Sequence, residues 1–215
     1  MLRLYTYFRS SAAYRVRIAL NLKGLDYQAI PVHLLKDGGQ QLQPDYRALN
    51  PAALVPTLQD AALTLTQSLA ILEYLEETRP QPPLLPADAA GRARVRALAL
   101  TVACDIHPLN NLRVLRYLEH TLKIGADARQ EWYRHWIMDG MTALETHLSA
   151  DPATGLFCHG DTPTIADCCL IPQVYNAERF GIDLTLYPTV RRIAAHCATL
   201  PAFSAAHPGR QADAE

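Results

Sequence analysis

Four prolines stand within seven residues, Pro80, Pro82, Pro83 and Pro86 in Pro-Gln-Pro-Pro-Leu-Leu-Pro, and no other feature limits the fold as strongly. Each proline ring fixes φ and removes a backbone N–H, so the segment can be neither a helix interior nor a central strand. It reads as a stiff, extended connector. The 215 residues therefore fall into a short first domain, 1–80, and a longer second one, 88–210.

Periodicity differs on the two sides. Before the connector, Leu2-Arg3-Leu4-Tyr5-Thr6-Tyr7 alternates as a strand does. From Ser11 to Lys23 the positions Ala13, Val16 and Leu20, with Ile18 and Leu22, recur at helical spacing, and Gly24 supplies a stop. Residues 27–34 are strand-like again, but Pro31 confines them to a sheet edge. Val55–Leu58 and Leu63–Thr66 read as a short antiparallel pair. Ser68 then caps a helix to Thr78 whose inner face is Leu69, Leu72 and Leu75, or Ile71. The order β-α-β followed by β-β-α is the thioredoxin-like arrangement. After the connector only helical patterning remains: Arg92–Glu119, Gln130–Ser149, Ile165–Phe180 and Thr189–Leu200. The polar tail Gln211–Glu215 is expected to fray. The fold class is an α/β thioredoxin-like N-terminal domain with an all-α C-terminal domain.

Charge and cysteine usage exclude several functions. Twenty basic against twenty-one acidic side chains give a net charge of -1, which offers no field to gather nucleic acid or an anionic membrane. The five cysteines are odd in number and lack CxxC spacing, so buried, reduced thiols are expected rather than disulfides or a metal site. Met1–Tyr7 has no apolar core of a signal peptide, and the longest apolar stretch, near Ala97–Cys104, is far short of a membrane span. A reducing cytoplasm is the expected location.

Five segments carry possible chemistry. Tyr7-Phe8-Arg9-Ser10-Ser11 lies at a strand-to-helix junction, where unpaired N–H groups and the positive end of a dipole favour anions. One serine suffices as a cap, which leaves the other as a candidate ligand for an anion or a thiolate. Val55-Pro56 opens a short strand; in a thioredoxin-like fold a cis-proline there leaves the preceding backbone free to pair with a peptide-like ligand. Thr66-Gln67-Ser68 begins a helix, whose N–H groups can also hold a carboxylate. His107 and Asn111 stand four apart on a long helix, which Pro108 should kink. Thr164-x-x-Asp167 is a capping box and reads as structural.

Together these segments resemble the glutathione transferase superfamily, and within it the zeta class of maleylacetoacetate and maleylpyruvate isomerases. Ser10-Ser11-Ala12-Ala13-Tyr14-Arg15-Val16-Arg17-Ile18-Ala19-Leu20 is similar to the class signature Ser-Ser-Cys-x-x-Arg-Val-Arg-Ile-Ala-Leu. The likeness continues through Leu35–Gln41, Gln67–Ile71, Glu73–Pro80 and Pro172–Phe180. Two departures stand out. Ala12 replaces the signature cysteine, and Leu112 replaces the first of two arginines that follow the His-Pro-x-Asn-Asn run in relatives acting on maleylpyruvate.

The resemblance implies glutathione as cofactor, a small diketo acid as substrate, and a homodimer. Addition of a thiolate beside the ketone turns the cis double bond into a single bond that rotates, and expulsion of the thiolate leaves the trans isomer. The resemblance assigns catalysis to Ser10 and Ser11. Glutathione contacts fall to those serines with Arg15, Gln41, Val55, Pro56, Gln67, Ser68, His107 and Asn111, and the substrate carboxylates to Arg9 and Arg179. The energetics allow a serine alone. A free thiol has a pKa of about 8.5, and lowering it by about two units takes roughly 2.7 kcal/mol. One charge-assisted hydrogen bond supplies about 1.5–3 kcal/mol, and a helix N-terminus about 0.3–1 more. The rival readings are a general transferase conjugating electrophiles and a non-catalytic module; the intact Ser10, Val55-Pro56 and Gln67-Ser68 weigh against the second.

Overall fold

The alternation at the start of the chain becomes strand β1 (Leu2–Thr6), followed by helix α1 (Ser11–Leu22) and strand β2 (Tyr27–Pro31). The computed structural model describes all of residues 1–215. Strands β3 (Thr57–Asp60) and β4 (Leu63–Thr66) complete one sheet in the order β2-β1-β3-β4. β1 runs parallel to β2, with Leu4 opposite Ala29, and antiparallel to β3, with Leu4 opposite Leu58. The Pro31 strand lies at the sheet edge, where its missing N–H costs nothing. Between β2 and β3 sits the short helix α2 (Pro44–Leu49), and helix α3 (Ser68–Thr78) follows β4. Ile71, Leu72 and Leu75 form the buried face of α3, whereas Leu69 is half-buried.

The chain divides into two compact units, Met1–Leu84 with Ala198–Glu215, and Leu85–Cys197. The C-terminal stretch thus belongs with the first unit, although helical patterning alone placed residues to 210 with the second domain. The helical stretch Pro201–Ala206 packs on α1, and the tail is tied down rather than frayed. Asp213 accepts from Phe8 N–H at 3.0 Å, Gln211 donates to Ala205 and His207 carbonyls at 2.9 Å, and Glu215 pairs with Lys36. A buried ion pair closes the other end of this unit. Lys23 Nζ meets Glu76 Oε2 at 2.8 Å and donates to the Arg79 and Pro82 carbonyls, and Glu76 accepts from Leu84 N–H. Glu76 therefore anchors the proline connector.

The second unit is all helical: α4 (Ala89–Leu100), α5 (Leu112–His120), α6 (Ala126–Ala150), α7 (Ile165–Arg179) and most of α8 (Pro188–Ala198), after which α9 (Pro201–Ala206) returns to the first unit. The expected single helix 92–119 is broken. After α4 comes a π-helical turn, Thr101–Ile106, then a 3-10 turn, His107–Asn110, and Asn111 is extended at ψ 146°. Pro108 has no N–H for the helical ladder, and the wider π turn takes up the mismatch. Gly140 on α6 makes room for this turn, since a Cβ there would lie 2.2 Å from Ile106 Cγ1. Four of the five cysteines, Cys158, Cys168, Cys169 and Cys197, are buried and unpaired; Cys104 is exposed. No helix is long and apolar enough to cross a membrane.

Candidate active site

The β1–α1 turn is built around Ser10. Its backbone is extended (φ -68°, ψ 114°), its N–H donates to the Tyr7 carbonyl at 2.9 Å, and its carbonyl accepts from Tyr14 N–H at 2.8 Å. Its Oγ accepts from Ala13 N–H at 3.2 Å, so Ser10 is the cap of α1. That bond uses a lone pair and leaves the hydroxyl proton to be donated elsewhere. Ser11, at the first helical position and half-buried, makes no side-chain hydrogen bond within the chain. No acidic residue of α1 itself sits in its first turn to offset the positive end of the dipole. The turn can cap itself and still offer two hydroxyls to an anion.

Beneath it lies a residue that the spacing argument missed. Arg17 is fully buried; its guanidinium donates to Thr6 Oγ1, to the Tyr7 and Phe8 carbonyls, and to the Ala206 carbonyl of α9. The signal was present: on a helix Arg17 shares a face with Ala13 and Leu20, both buried, so its charge had to find partners inside.

At the start of α3 the roles differ from those expected. Gln67, not Ser68, occupies the cap position, with a left-handed φ of 68° and no capping bond from its side chain. Ser68 is buried, and its Oγ accepts from Arg15 Nη1 at 3.1 Å. The left-handed turn at Gln67 starts the helix one residue earlier than expected, and Arg15 donates to the hydroxyl that the cap would have used. Arg15 thereby ties α1 to the first turn of α3. Gln67 itself is exposed, with its amide free of partners in the chain.

The Val55–Pro56 peptide is cis, and Val55 makes no hydrogen bond within the chain. The Leu54 carbonyl before it is held by Tyr46 Oη at 2.6 Å and Asn50 Nδ2 at 2.8 Å, both of which also reach Thr57 Oγ1. Val55 packs with Tyr7, Phe8, Val32 and Tyr46 in one apolar cluster. Gln41 is buried with a long bond, 3.4 Å, to the Leu34 carbonyl, and its Oε1 has no partner. Gly39, at φ 109°, allows this, because a Cβ there would lie 2.8 Å from the Gln41 amide. A spare hydroxyl, a free amide, an unpaired backbone and an orphaned carbonyl oxygen suit a short peptide carrying a thiol and carboxylates.

In the second unit, His107 begins the 3-10 turn, and Asn111 caps α5 by accepting from Arg113 N–H at 3.1 Å. The break between them means that the i, i+4 relation of an unbroken helix does not apply. Arg179 ends α7, exposed and without an ion pair, its guanidinium 5.5 Å from the centre of the Phe180 ring. Phe180 is in turn stacked on Tyr133, with centroids 3.6 Å apart. Arg9 in the first unit is built the same way: exposed, unpaired, and 4.8 Å from the centre of the Phe8 ring. Each arginine rests on a neighbouring phenylalanine with its hydrogen-bonding edge unspent. The buried thiols offer no alternative nucleophile, since burial raises Cys158, Cys168 and Cys197 above the ordinary thiol range.

A peptide-and-thiol site on a four-stranded sheet, followed by a helical unit, is the design of a glutathione transferase. Residues 9–78 match the family model of the glutathione S-transferase N-terminal domain, and residues 126–192 that of the C-terminal domain. The chain is 52% identical to the probable maleylacetoacetate isomerase of Vibrio cholerae, over 98% of this chain and 97% of that one. Among solved structures it matches a holo maleylpyruvate isomerase, a bacterial zeta-class enzyme, with TM-score 0.96 and 50% identity over 99% and 100% of the two chains. It also matches the maleylacetoacetate isomerase of Methylobacterium extorquens AM1, solved with bound malonate and glutathione, with TM-score 0.95 and 47% identity over 99% of each chain. The chain belongs to the zeta class of the glutathione transferases.

Proposed function

We propose that this protein is a glutathione-dependent cis–trans isomerase that converts maleylacetoacetate or maleylpyruvate to the fumaryl isomer. The observation that carries this reading is the start of α1, where the Ser10 hydroxyl caps the helix and keeps a proton to give. Bound glutathione supplies a thiolate whose reversible addition frees the double bond to rotate. Ser10 Oγ donates to that sulfur, and Ser11 adds a second hydroxyl at the same dipole. Val55 offers its backbone to the cysteinyl part, while Gln67 and the N–H groups at the start of α3 take the γ-glutamyl end, with Ser68 held in place by Arg15. Pro56 fixes the turn beside Val55. Gln41, His107 and Asn111 contribute further polar contacts, and Arg9 and Arg179 take the substrate carboxylates. The enzyme acts as a homodimer in the cytoplasm.

The arginine assignment separates this reading from a general conjugating transferase. Arg9→Met or Arg179→Met should lower kcat/KM for the diketo acid by about tenfold to a hundredfold, roughly 1.4–2.7 kcal/mol, the scale of one charged hydrogen-bonded contact. Turnover of a neutral haloarene with glutathione should barely change. Equal losses of both activities would make the arginines supports of the fold or of glutathione and would remove the case for a dicarboxylate substrate. Parallel assays with the two maleyl substrates decide between them.

A further inference from the structure

Two links, made by three hydrogen bonds, connect the C-terminal stretch to the backbone of the β1–α1 turn. The Arg17 guanidinium bridges the Ala206 carbonyl, at 3.0 Å, to the Phe8 carbonyl, also at 3.0 Å. The Asp213 carboxylate accepts from the Phe8 N–H at 3.0 Å. Phe8 is thus held at both its N–H and its carbonyl, two residues before Ser10, and its ring carries Arg9. The tail is itself fixed, by Gln211 to α9 and by Glu215 to Lys36 beyond β2. A turn that must hold a hydroxyl within hydrogen-bonding reach of a sulfur cannot shift by an ångström without losing the bond.

We propose that Asp213 is a positioning residue for the reaction at Ser10, acting through the Phe8 N–H to hold the turn that carries both Ser10 and Arg9. The proposal rests on the reading of Ser10 as the group that meets the glutathione sulfur. A hydrogen bond from an amide to a carboxylate is of the stronger, charge-assisted kind, and no other acceptor for the Phe8 N–H exists in the structure. Asn at position 213 retains an acceptor oxygen; Ala does not.

The test compares Asp213→Ala, Asp213→Asn and Ser10→Ala in the full-length protein. Without glutathione, amide hydrogen exchange of residues 7–13 should quicken at least tenfold in D213A and stay near the parent in D213N. With glutathione, the thiolate absorbance of the bound cofactor should titrate at higher pH in D213A, and kcat/KM should fall about tenfold, while D213N stays within about threefold of the parent. The direction of the titration is diagnostic. A carboxylate acting only through its charge would oppose thiolate formation, so its removal would move the titration to lower pH. Such a downward move, parent-like exchange in D213A, or a D213N as impaired as D213A each overturns the proposal. Ser10→Ala separates the two readings. If S10A leaves the titration unmoved while D213A shifts it, the serine assignment fails and the clamp stands; if S10A shifts it and D213A does not, the clamp fails alone.

Discussion

Helices α1 and α7 both begin with a hydroxyl residue, and they use it in opposite ways. At α7, Thr164 and Asp167 form a complete capping box. The Asp167 Oδ2 accepts from the Thr164 N–H and from its hydroxyl, both at 2.8 Å, and Oδ1 accepts from the Cys158 N–H at 2.8 Å. The Thr164 N–H and hydroxyl are both spent inside the protein, and the carboxylate is fully buried. At α1 the position corresponding to Asp167 is Ala13, so the Ser10 hydroxyl proton is not consumed, and Ser11 adds another hydroxyl. A closed helix start is a folding device. An open one leaves donors and a positive dipole available for a ligand that the chain does not itself supply.

The largest effect should come from opening the closed start. Asp167→Ala strands two buried N–H groups and a hydroxyl, and each unsatisfied donor costs about 1–3 kcal/mol, so the total should reach about 3 kcal/mol or more. Urea unfolding measures it, and turnover per folded molecule should stay within about twofold of the parent. A cost below about 1 kcal/mol would mean that the box is not the closed device described.

Next is the open start. Ser10→Ala should remove about 0.5–2 kcal/mol of stability through the lost cap. It should also lower turnover about tenfold to a hundredfold, the scale of one charge-assisted hydrogen bond, with glutathione affinity changed less. Ser11→Ala should do less on both counts. Equal, mild effects of the two would assign thiolate activation to the backbone and dipole and would erase the functional side of the contrast.

Smaller still is Ala12→Cys, which restores the class signature inside the open start. On the proposed role of Ser10, its hydroxyl and the dipole already supply the stabilisation needed, so isomerisation should stay within about tenfold, a barrier change of roughly 1.4 kcal/mol. A gain of several hundredfold in a spectrophotometric assay would show that the open start is incomplete without a thiol.

How much of this was legible depended on the range of each interaction. The thioredoxin-like order and the segments around Ser10, Val55-Pro56, Gln67-Ser68 and Thr164–Asp167 are local patterns, and periodicity with turn chemistry reaches them. The shift of the α3 cap from Ser68 to Gln67 is beyond a local reading, because it depends on Arg15, 53 positions away, claiming the serine hydroxyl. The same holds for Arg17 bound to Ala206, for Lys23 paired with Glu76, and for Asp213 bound to Phe8 across 205 positions. Pro108 announced an irregular helix, but the wide turn before it needed Gly140 on α6 to admit Ile106.

The smallest expected effect is a difference in the sign of two pH dependences. Asp88 caps α4, exposed to solvent, with its carboxylate accepting from Gly91 N–H at 2.7 Å. That bond holds its pKa below the ordinary Asp range. Asp167 also serves a helix start, as the third helical residue in a capping box, yet burial outweighs its hydrogen bonds and pushes its carboxyl up. For Asp88 the folded value lies below the unfolded one, so its contribution is complete above the unfolded pKa and is lost as pH falls through the folded one. For Asp167 the folded value is the higher. The native state keeps a proton that the unfolded state has released, and stability falls as pH rises from the unfolded value through the folded one. Subtracting the stability of Asp88→Asn from that of the parent, measured in urea between about pH 2.5 and 6, should give a difference that rises with pH and then levels. The same subtraction with Asp167→Asn should give a difference that falls. Solvent around Asp88 screens its interaction, so its slope should be the shallower of the two. Slopes of the same sign would mean that burial does not govern Asp167, and a buried helix start would then differ from an exposed one in its bonds but not in its electrostatics.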